Sequence, residues 1–264
     1  KHAFVRLVAL VVGLFAAAVV NAAGIIYRVN LDGTGLTTLV TTGLSDPRGI
    51  DLDVTAGQMY WTDIGAQNIQ RANLDGTGVT DLVTGLDNPA DIALDVSGGQ
   101  MYWTDASGTP LMIQRANLDG SAVTGLVTGV TAAYGIALDV SGDQMYWANG
   151  TIDGKIQRAN LDGSAVTGLV TGLSSPRGIA LDVSGGHMYW TDHVTDKIQR
   201  ANLDGTGVTD LVTGVNAHGI ALDLDAGHIY FTAPTQIPLP ATLWLFAPGL
   251  ASLGFVGWRR KRVV

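Results

Sequence analysis

Cysteine and glutamate are both absent from the 264 residues, and charged residues of all kinds make up only 14%. Without cysteine there is no disulfide framework and no thiol nucleophile, so a folded core must be held by packing alone. Without glutamate the closing bidentate ligand of an EF-hand loop is missing, and the spaced aspartates read as turn residues rather than calcium ligands. Cations are scarce as well. From Arg28 to Asp225 nine basic residues stand against all 23 acidic ones, which leaves that span near −14. Such a balance excludes nucleic acid or an anionic lipid surface as a charge-driven partner. Helical periodicity is also missing from this span.

The two ends differ from the middle. Lys1 and Arg6 precede an apolar run from Leu7 to Val20 and the small-residue segment Asn21-Ala22-Ala23, a pattern that predicts a signal peptide with a signal helix over residues 1–23. Residues 241–258 are largely apolar and are followed by Arg259-Arg260-Lys261-Arg262, which predicts a transmembrane helix with a cytoplasmic basic tail.

Between the ends three phrases cycle in fixed order. The first is Gly49-Ile50-Asp51-Leu52-Asp53, matched at 92–95, 135–139, 178–182 and 219–223. The second carries Tyr60, Tyr102, Tyr146, Tyr189 and Tyr230, spaced 42, 44, 43 and 41 residues apart. The third is Asn-Leu-Asp-Gly, from Asn30, Asn73, Asn117, Asn160 and Asn202 onward, each followed by a short run rich in Val, Leu and Thr. Each cycle reads as four short strands separated by turn signals, and a period just above 40 with four strands per unit indicates an all-β propeller. The span 24–233 starts and ends in mid-cycle. Joining Ile26 to Arg28 with Ile229 to Phe231 in one sheet predicts a five-bladed ring, closed by N-terminal strands pairing with C-terminal ones.

Period two along Met59 to Asp63 sends Trp61 and Tyr60 to opposite faces, where large rings can fill the wedge between stacked blades. The same role falls to Tyr102, Trp103, Tyr146, Trp147, Tyr189 and Trp190. Asp63 with Arg71, Asp105 with Arg115 and Asp192 with Arg200 recur across the second loop and predict ion pairs; Asn149 stands opposite Arg158 instead. Ala233 opposite Arg28 lacks the pair, so the closing blade is expected to be the weakest.

The copies can be compared with one another. Turns such as "DVSGGQ" and "LDGTG" hardly vary and fall on one rim, whereas the loops 64–68, 106–112, 150–154 and 193–197 diverge on the other. The position before the first strand also varies there, as Arg48, Ala90, Tyr134, Arg177 and His218, and Asp91 replaces a glycine of the other cycles. Arg48, Asp91, Tyr134, Arg177 and His218 are therefore the candidate ligand-binding rim, suited to an acidic or sugar-like group. No metal site, cofactor or nucleophile is legible. The competing reading is a hydrolase or lyase acting on an extracellular saccharide at the axial mouth through Asp91 and His218.

"PRGIALDVSGGHMYWTDHVTDKIQRANLDG", Pro176 to Gly205, resembles the low-density-lipoprotein-receptor class B, or YWTD, repeat, and the likeness extends from about residue 25 to 233. That resemblance implies a β-propeller; receptor members look six-bladed, against five counted here. "IPLPATLWLFAPGLASLGFVGWRRKR", Ile237 to Arg262, is similar to the PEP-CTERM sorting signal in its VPLPA variant. It implies that 234–264 is a sorting segment, held in the inner membrane through 241–258 until an exosortase-type enzyme processes it. The expectation is thus an exported scaffold or binding protein of a Gram-negative bacterium, membrane-anchored, at the cell surface or in the extracellular matrix, with a protein or glycan partner.

Overall fold

A computed structural model describes residues 6–8, 17–21, 25–29, 37–107, 111–151, 153–224 and 227–232. The first sheet joins β1 (Arg6–Val8), β2 (Ala17–Asn21), β3 (Ile25–Val29) and β4 (Thr37–Val40). The second holds β5 (Pro47–Asp53), β6 (Gln58–Asp63), β7 (Asn68–Asn73) and β8 (Thr80–Thr84), and the third β9 (Pro89–Asp95), β10 (Gln100–Asp105), β11 (Met112–Asn117) and β12 (Thr124–Thr128). β13 (Ala133–Asp139), β14 (Gln144–Asn149), β15 (Gly154–Asn160) and β16 (Thr167–Leu173) form the fourth. β17 (Pro176–Asp182), β18 (His187–Asp192), β19 (Lys197–Asn202) and β20 (Thr209–Thr213) form the fifth. A sixth sheet has two described strands, β21 (Ile220–Asp223) and β22 (His228–Phe231). The innermost strands β1, β5, β9, β13, β17 and β21 touch in turn around the ring, which closes where β1 meets β21 and β22.

This corrects the five-bladed expectation. Ile26, Tyr27 and Arg28 pair with Val20, Val19 and Ala18 rather than with Ile229 to Phe231. The expected signal helix is replaced by β1 and β2. An apolar run does not by itself distinguish a buried strand from a helix. Three residues separate β2 from β3 in sequence, so this hairpin closes at far less entropic cost than a union of chain segments some 200 residues apart. No helix occurs among the described residues, and none there is long and apolar enough to cross a membrane. Residues 241–258 lie outside the described residues, and the transmembrane, membrane-anchored expectation is not carried forward.

Packing follows the two-residue period. Trp61 packs with Met59, Ile26, Val40 and Ile50 toward the first sheet, while Tyr60 meets Met101 and Trp103 of the third. Tyr102 meets Met145 and Trp147 in the same way, and Tyr146 meets Met188 and Trp190. Each buried ring contributes roughly 2–3 kcal/mol through area removed from water. Tyr189 is only partly buried, and the sheet it faces carries Phe231 where its neighbours carry Trp.

The Asn-Leu-Asp-Gly turns fasten each blade to the one before it. Thr77 donates its N–H and its Oγ1–H to Asp75 Oδ1 at 2.9 and 2.6 Å, and these bonds hold the Asp75 carboxyl below the ordinary range. At Gly76, with φ +87°, a Cβ would lie 2.2 Å from the Leu39 carbonyl oxygen, so only glycine allows the turn to seat on β4. At Gly163, with φ +86°, a Cβ would likewise lie 2.5 Å from the Leu126 carbonyl oxygen.

Candidate functional site

On the opposite rim the connections of the second and fifth sheets share a backbone and differ in side chains. Gln67 and Asp196 both take left-handed φ, 57° and 54°. Leu86 N–H bonds to the Gln67 carbonyl and Val215 N–H to that of Asp196, both at 3.0 Å. The aspartates that end β6, β10 and β18 anchor this framework. Asp63 accepts the N–H groups of Ser45, Asp46 and Ala66 at 2.7, 2.8 and 2.9 Å. Asp105 accepts that of Asn88 at 2.7 Å, and burial raises its carboxyl above the ordinary value. Asp192 accepts from Ser174 and Thr195 at 2.8 and 3.2 Å.

The expected Asp–Arg pairs therefore do not form. Strand register sets Arg71 opposite Tyr60 and Asp63 opposite Asn68, and Arg115, Arg158 and Arg200 stand opposite Tyr102, Tyr146 and Tyr189. The guanidiniums of Arg71 and Arg115 lie 6.0 Å from their ring centroids, and that of Arg158 lies 5.9 Å away. Cation–π contact on the blade face takes the place of an ion pair at the loop.

Of the five rim candidates, three come together. The Arg177 guanidinium lies 5.2 Å from the Tyr134 ring centroid, and its Nη1 is 2.9 Å from His218 Nδ1. The His218 ring is 4.5 Å from that of His193, whose Nδ1 is 2.8 Å from Asn216 Oδ1. Burial first, and the Arg177 charge second, push the His193 imidazole below its ordinary pKa, so it is neutral at physiological pH. A continuous run of aromatic, cationic and imidazole groups thus crosses the fourth, fifth and sixth sheets. Arg48 is held apart by a bidentate pair with Asp46 at 2.8 and 3.0 Å.

Asp91 faces elsewhere, into a cavity of about 460 Å³ along the axis whose walls are mainly Ile, Leu and Ala of the inner strands. Its Oδ2 accepts the Ile136 N–H at 3.2 Å. Asp51 shares the cavity wall and accepts the N–H groups of Leu94 and Leu52, each at 2.8 Å. Burial in this apolar wall pushes the Asp51 carboxyl up to about 6, and the Asp91 charge adds to the effect. Both acids bridge neighbouring inner strands that share no ladder. Sequence reasoning missed Asp51, although it stands where the other cycles have Ala93, Ala137, Ala180 and Ala221; the comparison that singled out Asp91 contains that signal. His193 and Asn216 were missed because loop residues have no counterpart to compare. Among the described residues no three His, Cys, Asp or Glu side chains gather to hold a metal ion, and the two cavity acids accept backbone N–H groups.

Comparison with known proteins agrees with this geometry. The low-density lipoprotein receptor repeat class B profile matches residues 57–96 and 186–224. Nidogen-2 of Mus musculus is 48% identical over 40 residues, 15% of this chain and 3% of that protein. A nidogen/laminin complex structure superposes with a TM-score of 0.74 at 25% identity over 83% of this chain and 84% of that one. The fold is a β-propeller, two stretches of which match the class B repeat. A TolB structure from Agrobacterium tumefaciens, at 15% identity and TM-score 0.70 over 84% and 87% of the two chains, shares the propeller's architecture. In this propeller the varied side chains stand on one rim, and residues 234–264, where a sorting segment was expected, lie outside the described residues.

Proposed function

We propose that the chain is a binding module that presents its varied rim to a protein partner, with Tyr134, Arg177 and His218 at the centre of the contact. The observation that carries this reading is the unbroken stack those residues make with His193 across three sheets. Aromatic and Arg groups held rigidly by neighbours are the side chains from which interface hot spots are built. The similar nidogen propeller was solved in a complex with laminin, a protein, which supports the same class of partner. A hydrolase or lyase working through Asp91 and His218 draws less support, since Asp91 is bonded to Ile136 in the cavity and His218 belongs to the stack.

The test is a quantitative binding screen against secreted proteins and glycans with the full chain. Arg177→Ala and Tyr134→Ala are expected to weaken a bound protein by about tenfold or more, as hot-spot truncations do. Arg48→Ala, outside the stack, should leave the affinity unchanged. A saturable partner indifferent to both stack variants would overturn the assignment.

A further inference from the structure

In the second and fifth sheets a carboxylate ends a row of polar side chains that crosses the blade. Trp61 Nε1 donates to Gln70 Oε1 at 3.0 Å, and Gln70 Nε2 donates to Asp81 Oδ1 at 2.7 Å. Asn68 Nδ2 donates to the same oxygen at 3.0 Å. Trp190, Gln199 and Asp210 repeat the row at 3.1 and 2.7 Å, with Lys197 Nζ now 2.8 Å from Asp210 Oδ2. The Lys197 ammonium and the Gln199 amide hold the Asp210 carboxyl below its ordinary value.

The fourth sheet keeps this cradle and lacks its acid. Lys155 and Gln157 occupy the places of Lys197 and Gln199, and the residue opposite Gln157 is Gly168. A Cβ there would meet nothing within 4 Å. A cavity of about 130 Å³ opens beside Trp147, Asn149, Lys155 and Gln157, its far wall formed by Val127 to Thr131. Trp147 is 0% exposed, yet its Nε1–H donor has no hydrogen-bond partner. Buried polar atoms left in this way cost stability until something bonds to them. The third sheet also has glycine in place of the acid, Gly125, but there Met112 stands at the lysine position and its Sδ lies 3.4 Å from where a Cβ would be. Asn149 is neutral where the other complete cycles carry Asp63, Asp105 and Asp192, so no fixed negative charge faces the cleft from that position.

We infer that this cleft between the third and fourth sheets binds a carboxylate, supplied from outside in place of the one Asp210 supplies from within. Lys155 Nζ and Gln157 Nε2 donate to its oxygens in a charge-assisted arrangement. Gln157 Oε1 already accepts from Asn149 Nδ2 and has a second lone pair for Trp147 Nε1. The cavity has room for a carboxyl group and a few atoms behind it, so the ligand is a short-chain organic acid or the uronic acid of a glycan. This site is separate from the Tyr134–Arg177–His218 rim, and neither stands or falls with the other.

The test is a nitrogen-15 NMR titration of the full chain, following the indole N–H of Trp147 (assigned with Trp147→Phe) against sodium acetate, sodium glucuronate and, as ionic control, sodium chloride. The Trp147 resonance is expected to move and saturate with a Kd of about 1–50 mM, while that of Trp190, already bonded, stays in place. Saturation by acetate alone identifies a free short-chain acid, and saturation by glucuronate identifies a glycan source; either supports the site. Lys155→Met, which borrows the residue of the third sheet, should weaken the response at least about tenfold. Gly168→Asp should abolish it and shift the Trp147 resonance toward that of Trp190, because the acid then comes from the chain itself. No saturation by either acid, equal shifts with chloride, or saturation that persists in Gly168→Asp would overturn the proposal.

Discussion

The two rims of the ring spend their aspartates differently. On the uniform rim each carboxylate bonds inside its own turn: Asp95 accepts Ser97 Oγ and Gly98 N–H at 2.8 and 2.7 Å, and Asp139 and Asp182 repeat the arrangement. On the varied rim Asp63, Asp105 and Asp192 reach out of their hairpins to the connection that enters the same sheet from its neighbour. One rim is built of self-contained turns and can be copied unchanged. The other is a backbone frame pinned at its base, so its exposed side chains can change without moving the chain. Conserved bonding beneath variable side chains is the arrangement expected where recognition, rather than folding, sets the sequence.

Breaking the pin should cost the most. Asp63→Ala leaves as many as three N–H groups without their acceptor in a site where Asp63 is 0% exposed, and chemical denaturation should show a loss of about 3 kcal/mol or more. Breaking the opposite rim is expected to cost somewhat less. Gly163→Ala forces a side chain into a left-handed turn against the Leu126 carbonyl, and the same measurement should show about 2–3 kcal/mol. The smallest effect lies between the rims, at Asp51. Its carboxyl is raised from 3.8 to about 6 on folding, so between those values the folded chain keeps a proton that the unfolded chain has released. Stability contributed there is present below pH 4, falls as pH rises toward 6 and is flat above. Asp51→Asn removes that slope. Relative to wild type the variant should therefore gain up to about 2 kcal/mol between pH 4 and pH 7, read from urea midpoints at each pH, after allowance for partial solvent screening. A constant gap across that range would show that Asp51 is not the group responsible.

Much of the blade was legible from the chain because repetition supplies its own control. Strand order, turn positions and the opposite faces of Tyr60 and Trp61 all follow from two-residue periodicity and the glycine and aspartate spacing. The ion pairs were misread from proximity in sequence, although hairpin arithmetic contains the answer: if Asp63 faces Asn68, then Arg71 must face Tyr60. The blade number was misread for a different reason. Leu7 to Val20 has the composition of an export signal, and composition does not reveal that part of it can complete a sheet whose third strand, β3, follows closely in sequence. At the rim, Tyr134, Arg177, His218 and Arg48 stand out because they differ between copies, but only geometry sets the first three side by side and pairs Arg48 with Asp46.

A circular wall resists load only as well as its weakest joint. Four joints of the ring are keyed by a buried tryptophan, while the sixth sheet offers Phe231 in its place. Tension or heat will concentrate there, and the first crack should run beside Tyr189 and Phe231 while the tryptophan-lined joints stay shut.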